Sequence, residues 1–192
     1  NSKGINTSAL YGFINTLLAI LEKENPTHLG VAFDTSAPTP RHIRFPAYKA
    51  QRDEMPEELA AAIPHVKNLC RAFHIPVLEI DGFEADDIIG TLATRLRAEG
   101  LPATLVTRDK DLAQLVREGD IYWNYTDNLR LRHHEIEAHF GVVPERYADY
   151  LALTGDAVDN IKGVPGVGPK TAAALLKEFA SLEELYDNLE GV

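Results

Sequence analysis

Cysteine is nearly absent: Cys70 is the only one in 192 residues. A single thiol forbids an internal disulfide and excludes a cysteine-rich zinc cluster, so any metal must be held by oxygen or histidine ligands. Also missing are an apolar run near the roughly 20 residues that cross a bilayer and a charged-then-apolar leader. These absences predict a soluble, cytoplasmic protein with no membrane partner. Basic residues are scarce as well. Nineteen Lys and Arg against 29 Asp and Glu give a net charge of -10, which as a sum argues against a nucleic-acid partner. Disorder is excluded by the 45% hydrophobic and 25% charged composition, which supports a substantial core. Asn1 opens the chain without a methionine and Val192 closes it without a polar tail, so the chain is expected to be a piece of a longer polypeptide.

The distribution of charge reverses what its sum suggests. From Thr35 to Arg52 stand Arg41, Arg44, Lys49 and Arg52 with no acid, and from Asn160 to Lys177 stand three lysines, again with no acid. These two windows carry +7, which leaves -17 on the rest of a chain of net -10. Apolar periodicity predicts a helix over Ala9–Leu21, a strand over His28–Phe33, and a helix over Glu57–Phe73 that Pro64 should kink or split. Cys70 falls on that helix's apolar stripe and is expected in the core. Strands over Val77–Ile80, Ala103–Thr107 and Ile121–Tyr125 alternate with helices over Glu84–Arg97 and Asp109–Val116. Such alternation predicts an α/β fold with a mostly parallel sheet flanked by helices. Everything after about Leu131 reads as helical, which divides the chain into a core over 1–131 and a helical subdomain over 132–192.

Acids gather where apolar strands end. Asp34 closes LGVAFD, Glu84, Asp86 and Asp87 lie in FEADD, and Asp109 and Asp111 lie in TRDKD. In open α/β sheets the ligand crevice lies at the carboxyl ends of the strands, where all three clusters should converge. Helix capping accounts for one acid per helix, but three in four residues repel unless a cation neutralises them. Oxygen ligation selects a hard ion, Mg²⁺ or Mn²⁺. Asp156 and Asp159 in TGDAVDN form a fourth cluster that would share a face if that segment is helical. Two hard cations could then activate water and stabilise the oxygens of a phosphodiester.

The run GVPGVGPKT, Gly163–Thr171, precedes a helical stretch. Gly166 and Gly168 remove side chains so that another backbone can approach, and the following helix points free N–H groups outward, which suits phosphate. An ordinary glycine-rich turn is the alternative. The basic loop over 35–58 interleaves its cations with Phe45 and Tyr48, a pattern for single-stranded nucleic acid or for a solvated linker. His133 and His134 read as surface or helix-start residues, and Trp123 and Tyr125 as core.

Taken in order, FPAYKAQRDEMP, FEADD, TRDKDLAQLV and LTGDAVDNIKGVPGVGPKTAAALL closely resemble the 5′ nuclease domain family of bacterial DNA polymerase I and the related flap endonucleases. The resemblance covers essentially the whole chain. It implies a PIN-like α/β core, a helical arch or clamp over the active site, and a helix-three-turn-helix subdomain. It further implies metal ligation by Asp34, Glu84, Asp86, Asp87, Asp109, Asp111, Asp156 and Asp159, with two or more Mg²⁺ or Mn²⁺ ions. Arg41, Tyr48, Lys49 and Arg52 would contact DNA, Lys49 and Arg52 steering the scissile phosphate. Gly166, Gly168, Lys170 and Thr171 would grip the duplex backbone, with K⁺ at that hairpin. The implied activity is metal-dependent hydrolysis of 5′ ends and 5′ flaps, including RNA–DNA primer ends, by a monomer that polymerase domains follow. Family members begin with an apolar strand ending in a metal-binding aspartate, which this sequence is expected to enter after. A junction-binding module without catalysis is therefore one rival. A small-molecule phosphatase, suggested by Asp109-Lys110-Asp111 after a strand, is another.

Overall fold

The computed structural model describes residues 7–189. The expected lack of a first strand before Ala9 falls largely on residues outside that range. Two compact units divide the chain. One holds the residues up to Pro40 together with Arg52–Ile88, and the other holds Arg41–Gln51 together with the residues from Ile89 onward.

In the first unit, helix α1 (Ser8–Glu24) buries Leu17 and Ile20 and stops at Asn25, whose left-handed φ of 43° turns the chain out of the helix. Strand β1 (Val31–Ala32) follows. The short helix α2 (Pro40–Arg44), in the second unit but for Pro40, lies in the basic loop, and α3 (Glu57–Ala72) closes that loop. Pro64 lies inside α3 without splitting it. The expected break is absent because Ala62, Val66 and Cys70, on one face either side of the proline, are all buried. Strand β2 (Val77–Leu78) pairs in parallel with β1, Val31 opposite Val77 and Ala32 opposite Leu78. Leu17, Cys70 and Ile75 form the core, packed by Phe13, Leu21, Leu29, Val31, Leu69 and Val77. Cys70 is fully buried, as its place on the stripe predicts.

Helix α4 (Ala85–Ala98) starts in the first unit and ends in the second. There, β3 (Thr104–Val106) leads into the helix expected over Asp109–Val116, which is a 3₁₀ helix over Lys110–Leu115. Strand β4 (Ile121–Asn124) pairs in parallel with β3, but β5 (Leu129–Arg132) runs antiparallel to β4. The expectation of a mostly parallel sheet is corrected here to a mixed one. The reason is local. Asn124 Nδ2 donates to Asp127 Oδ2 at 2.8 Å, the Asp127 N–H returns to Asn124 Oδ1 at 3.2 Å, and Asn128 takes a left-handed φ of 50°. That tight turn reverses the chain, and a reversal this short can only join antiparallel neighbours.

Helices α5 (His133–Phe140) and α6 (Tyr147–Thr154) follow, then β6 (Gly155–Asp156), β7 (Ile161–Lys162), α7 (Pro169–Glu178) and α8 (Leu182–Asp187). The β6–β7 ladder is antiparallel, so the region after Leu131 is not purely helical. Two glycines permit it. A Cβ on Gly155 would stand 2.3 Å from the Gly163 nitrogen, and one on Gly163 would stand 2.3 Å from the Thr154 carbonyl carbon. Close backbone approach within the chain occurs at Gly155 and Gly163, whereas a Cβ on Gly166 or Gly168 would meet nothing within 4 Å. The core of this unit joins Ala93, Leu105, Ala113, Val116, Tyr122 and Ile136 to Tyr147, Leu153, Ala172 and Leu176.

Candidate metal centre and nucleic-acid interface

The acids of the first unit meet at the start of α4. Asp34 Oδ1 accepts the Ala85 N–H at 2.7 Å, and Asp87 Oδ2 folds back to accept the Glu84 N–H at 3.0 Å. Asp86 and Asp87 occupy the first turn. Glu84, Asp86 and Asp87 are part-buried and Asp34 is exposed. Helix-end N–H groups and the aligned peptide dipoles favour negative charge there. Asp34, 51 residues away in sequence, thus joins the FEADD run as expected.

A second group lies at the other unit's strand ends. Asp109, just after β3, caps the 3₁₀ helix by accepting the Asp111 N–H at 2.9 Å. Asp156 Oδ1 accepts the Val158 N–H at 2.8 Å. Between these two stands Asp111, whose carboxyl is pushed up to about 7. Burial is the main cause, followed by the Asp109 charge and by the hydrogen bond and charge of Asp156, with Lys110 opposing. Asp111 Oδ1 is buried and has no hydrogen-bond partner. The phenols of Tyr122 and Tyr147 are buried in the same unit, and both are shifted upward, by burial first and then by carboxylates that include Asp109 and Asp111. An orphaned carboxylate oxygen among like charges has the chemistry of a hard-cation ligand, so the residues present fit a divalent ion. Among the described residues, no group of three or more His, Cys, Asp or Glu already stands in a metal-holding arrangement.

Asp159 is held differently, beside Lys49. The segment after Asp156 is a turn between β6 and β7 rather than a helix, so the two aspartates do not share a helical face. Asp159 instead pairs with Lys49, Nζ to Oδ1 3.9 Å, and the Lys49 N–H donates to its carbonyl at 3.1 Å. Tyr48, expected to offer its ring to nucleic acid, is 7% exposed. It packs edge-on against His42, with Lys49 Nζ 4.7 Å from its ring centroid. An aromatic so enclosed supports the lysine and has no free face for a base. Arg41 and Arg52 are exposed.

At the glycine hairpin, Gly166 has a φ of 83°, which L side chains rarely adopt. Gly168 is the N-cap of α7, Pro169 begins the helix, and Lys170 and Thr171 stand exposed in its first turn with no acid beside them. A cleft of about 550 Å³ is lined by Lys110, Thr154, Asp156, Asn160, Lys162 and Pro169 among others, so bases border the acid. Sequence patterns did not single out Gln51, whose Nε2 donates to Ala157 O at 2.9 Å, or Asn160, whose Nδ2 donates to Ala47 O at 2.8 Å. Asn160 carries a faint local signal, since its left-handed φ of 60° suits asparagine. Gln51 carries none.

Residues 1–141 match the family described as 5′-3′ exonuclease, N-terminal resolvase-like domain, and residues 142–192 match the 5′-3′ exonuclease, C-terminal SAM fold. The chain belongs to the 5′-3′ exonuclease family. Among its relatives, the 5′-3′ exonuclease of Aquifex aeolicus is 41% identical over 189 residues, covering 98% of this chain and 65% of that protein. DNA polymerase I of Bacillus caldotenax is 41% identical over 196 residues, which is all of this chain but 22% of the polymerase. This chain therefore spans less than two thirds of one relative and about a fifth of the other. The fold is shared with T5 5′-exonuclease solved with divalent metal ions (zinc) bound, at a TM-score of 0.85 and 22% identity over 98% of this chain and 73% of that one. It is shared more distantly with the catalytic core of Rad2 in complex with DNA substrate, at a TM-score of 0.62 and 20% identity over 97% and 58%. The architecture is thus α/β with a resolvase-like, PIN-like part and a C-terminal SAM-like helical part. No helix among the described residues is long and apolar enough to cross a membrane.

Proposed function

We propose that this chain is the nuclease part of a structure-selective 5′ nuclease, which hydrolyses phosphodiesters at 5′ ends and 5′ flaps of DNA and removes RNA primer ends. The observation that carries the proposal is the Asp109–Asp111–Asp156 pocket, where a buried carboxylate oxygen is left unpaired among like charges. Asp34, Glu84, Asp86 and Asp87 would serve one Mg²⁺ or Mn²⁺ ion, and Asp109, Asp111, Asp156 and Asp159 would serve another. When bound, such ions neutralise the carboxylates and lower the pKa of water, so that it can attack phosphorus. Lys49 and Arg52 orient the scissile phosphate, with Arg41 along the same strand. Lys170, Thr171 and the N–H groups at the start of α7 hold a duplex phosphate, where the open space at Gly166 and Gly168 lets the backbone approach. K⁺ would sit at that hairpin. Water adds to phosphorus, the bond to the 3′ oxygen breaks, and the products carry a 5′ phosphate and a 3′ hydroxyl. The chain would stand at the N-terminus of a cytoplasmic, monomeric DNA polymerase I, with residues 1–131 as the nuclease core and 132–192 as the duplex-binding part; the relatives named DNA polymerase I support the link to a polymerase.

A labelled 5′-flap duplex tests the proposal. Cleavage should require Mg²⁺ or Mn²⁺ and stop in chelator, and Asp86→Ala should abolish it while flap affinity persists. Binding with no cleavage by the wild-type chain would select a junction-binding module instead. Hydrolysis of a generic phosphate ester with no response to DNA would select a phosphatase.

A further inference from the structure

The Arg41–Gln51 stretch of the basic loop and the turn between Asp156 and Asp159 lie in one compact unit although 106 to 113 residues separate their contacts in sequence. Two amide side chains tie them together from opposite sides. From the loop, Gln51 Nε2 donates to the Ala157 carbonyl at 2.9 Å and to the Val158 carbonyl at 3.0 Å. From the turn, Asn160 Nδ2 donates to the Ala47 carbonyl at 2.8 Å. Between them, the Lys49 N–H donates to the Asp159 carbonyl and the Lys49 ammonium faces the Asp159 carboxylate. Lys49 and Asn160 both hold left-handed backbones, with φ of 55° and 60°. A lysine pays strain for that conformation and keeps it only where its surroundings over-determine it.

We propose that Gln51 and Asn160 are positioning residues, a reciprocal amide clasp that holds Lys49 in register with the Asp156–Asp159 turn. The inference rests on the nuclease reading given above. Gln51 grips both peptide carbonyls that lie between the two aspartates, so it orients the turn from which their carboxylates project. Asn160 grips the loop two residues before Lys49. The phosphate-facing ammonium and the ion-facing carboxylates then move as one piece. Coupling of this kind is reciprocal, so what tightens one partner tightens the other.

Gln51→Ala and Gln51→Glu test the clasp together, because both lack the amide donor while differing in charge. Free Mn²⁺ is followed by electron paramagnetic resonance during titration of the protein, and kcat and KM are measured on a 5′-flap duplex. Both variants are expected to lose about tenfold in Mn²⁺ affinity and in kcat, the usual scale for groups behind metal ligands, with little change in KM or in melting temperature. Gln51→Lys, which restores a donor, should recover most of the kcat. Wild-type Mn²⁺ affinity and kcat in Gln51→Ala would overturn the clasp, as would opposite effects from Gln51→Ala and Gln51→Glu. A melting shift with both parameters intact would overturn it too, by leaving Gln51 a merely structural role. A wild-type chain that neither binds Mn²⁺ nor cuts the flap would overturn the nuclease reading, and the clasp with it.

Discussion

Two aspartates nine positions apart show what separates a structural acid from one built for a ligand. Asp120 is 1% exposed and is met on all sides: it accepts from Arg97, from the Ala103 N–H at 2.8 Å and from the Arg117 N–H at 3.1 Å. Asp111, half-buried in the same unit, meets two carboxylates and keeps one buried oxygen with no partner. The protein has supplied a full set of donors to one and withheld it from the other. A buried polar group left unpaired costs free energy, so its persistence points to a missing partner rather than to stability. The α4 start is intermediate, because Asp34 and Asp87 already accept backbone N–H groups there.

Removing the satisfied acid should do the most damage. Asp120→Ala takes the counter-charge from the Arg97 guanidinium and the acceptor from two N–H groups, and a loss of about 3–5 kcal/mol in chemical denaturation is expected, the scale for breaking a buried pair. A loss near zero would erase the contrast. Asp34→Ala removes a helix-end acceptor and should cost about 0.5–2 kcal/mol by the same measurement, with Asp34→Asn recovering most of it.

Asp111→Asn should act in the opposite direction. Its carboxyl sits at about 7 in the folded chain against an ordinary 3.8. Ionising it therefore opposes folding, with a cost that grows from about pH 4 and is complete above about pH 7. In chelator the variant should melt about 2–4 °C above wild type at pH values beyond that window, and level with it below. Excess divalent ion should reverse the order by stabilising the wild type alone. A variant that melts lower at every pH would show that the pocket is satisfied from within.

How far these features can be read in advance depends on their range. The helices of α1, α3 and α4 follow from apolar spacing, and the parallel pairing of β1 with β2 and of β3 with β4 follows from strands alternating with helices. The β4–β5 reversal is not among the expected elements although Asn124, Asp127 and Asn128 are turn formers, because Leu129–Arg132 is too short a run to announce a strand without its partner. Pro64 misled in the other direction: its local cost is real, but burial on both sides of it outweighs that cost. Tyr48 looked like a stacking residue because composition cannot report burial.

Carboxylates at strand ends, acid-free basic windows and a glycine hairpin before a helix are properties of neighbouring residues, and the order of letters suffices to establish them. Which of those carboxylates is left without a donor, and which amide clasps the turn around Asp156, depends on groups dozens to more than a hundred positions apart in the chain. Hydrogen bonds and charge repulsion act on distance through space, and that distance exists only once the backbone has folded.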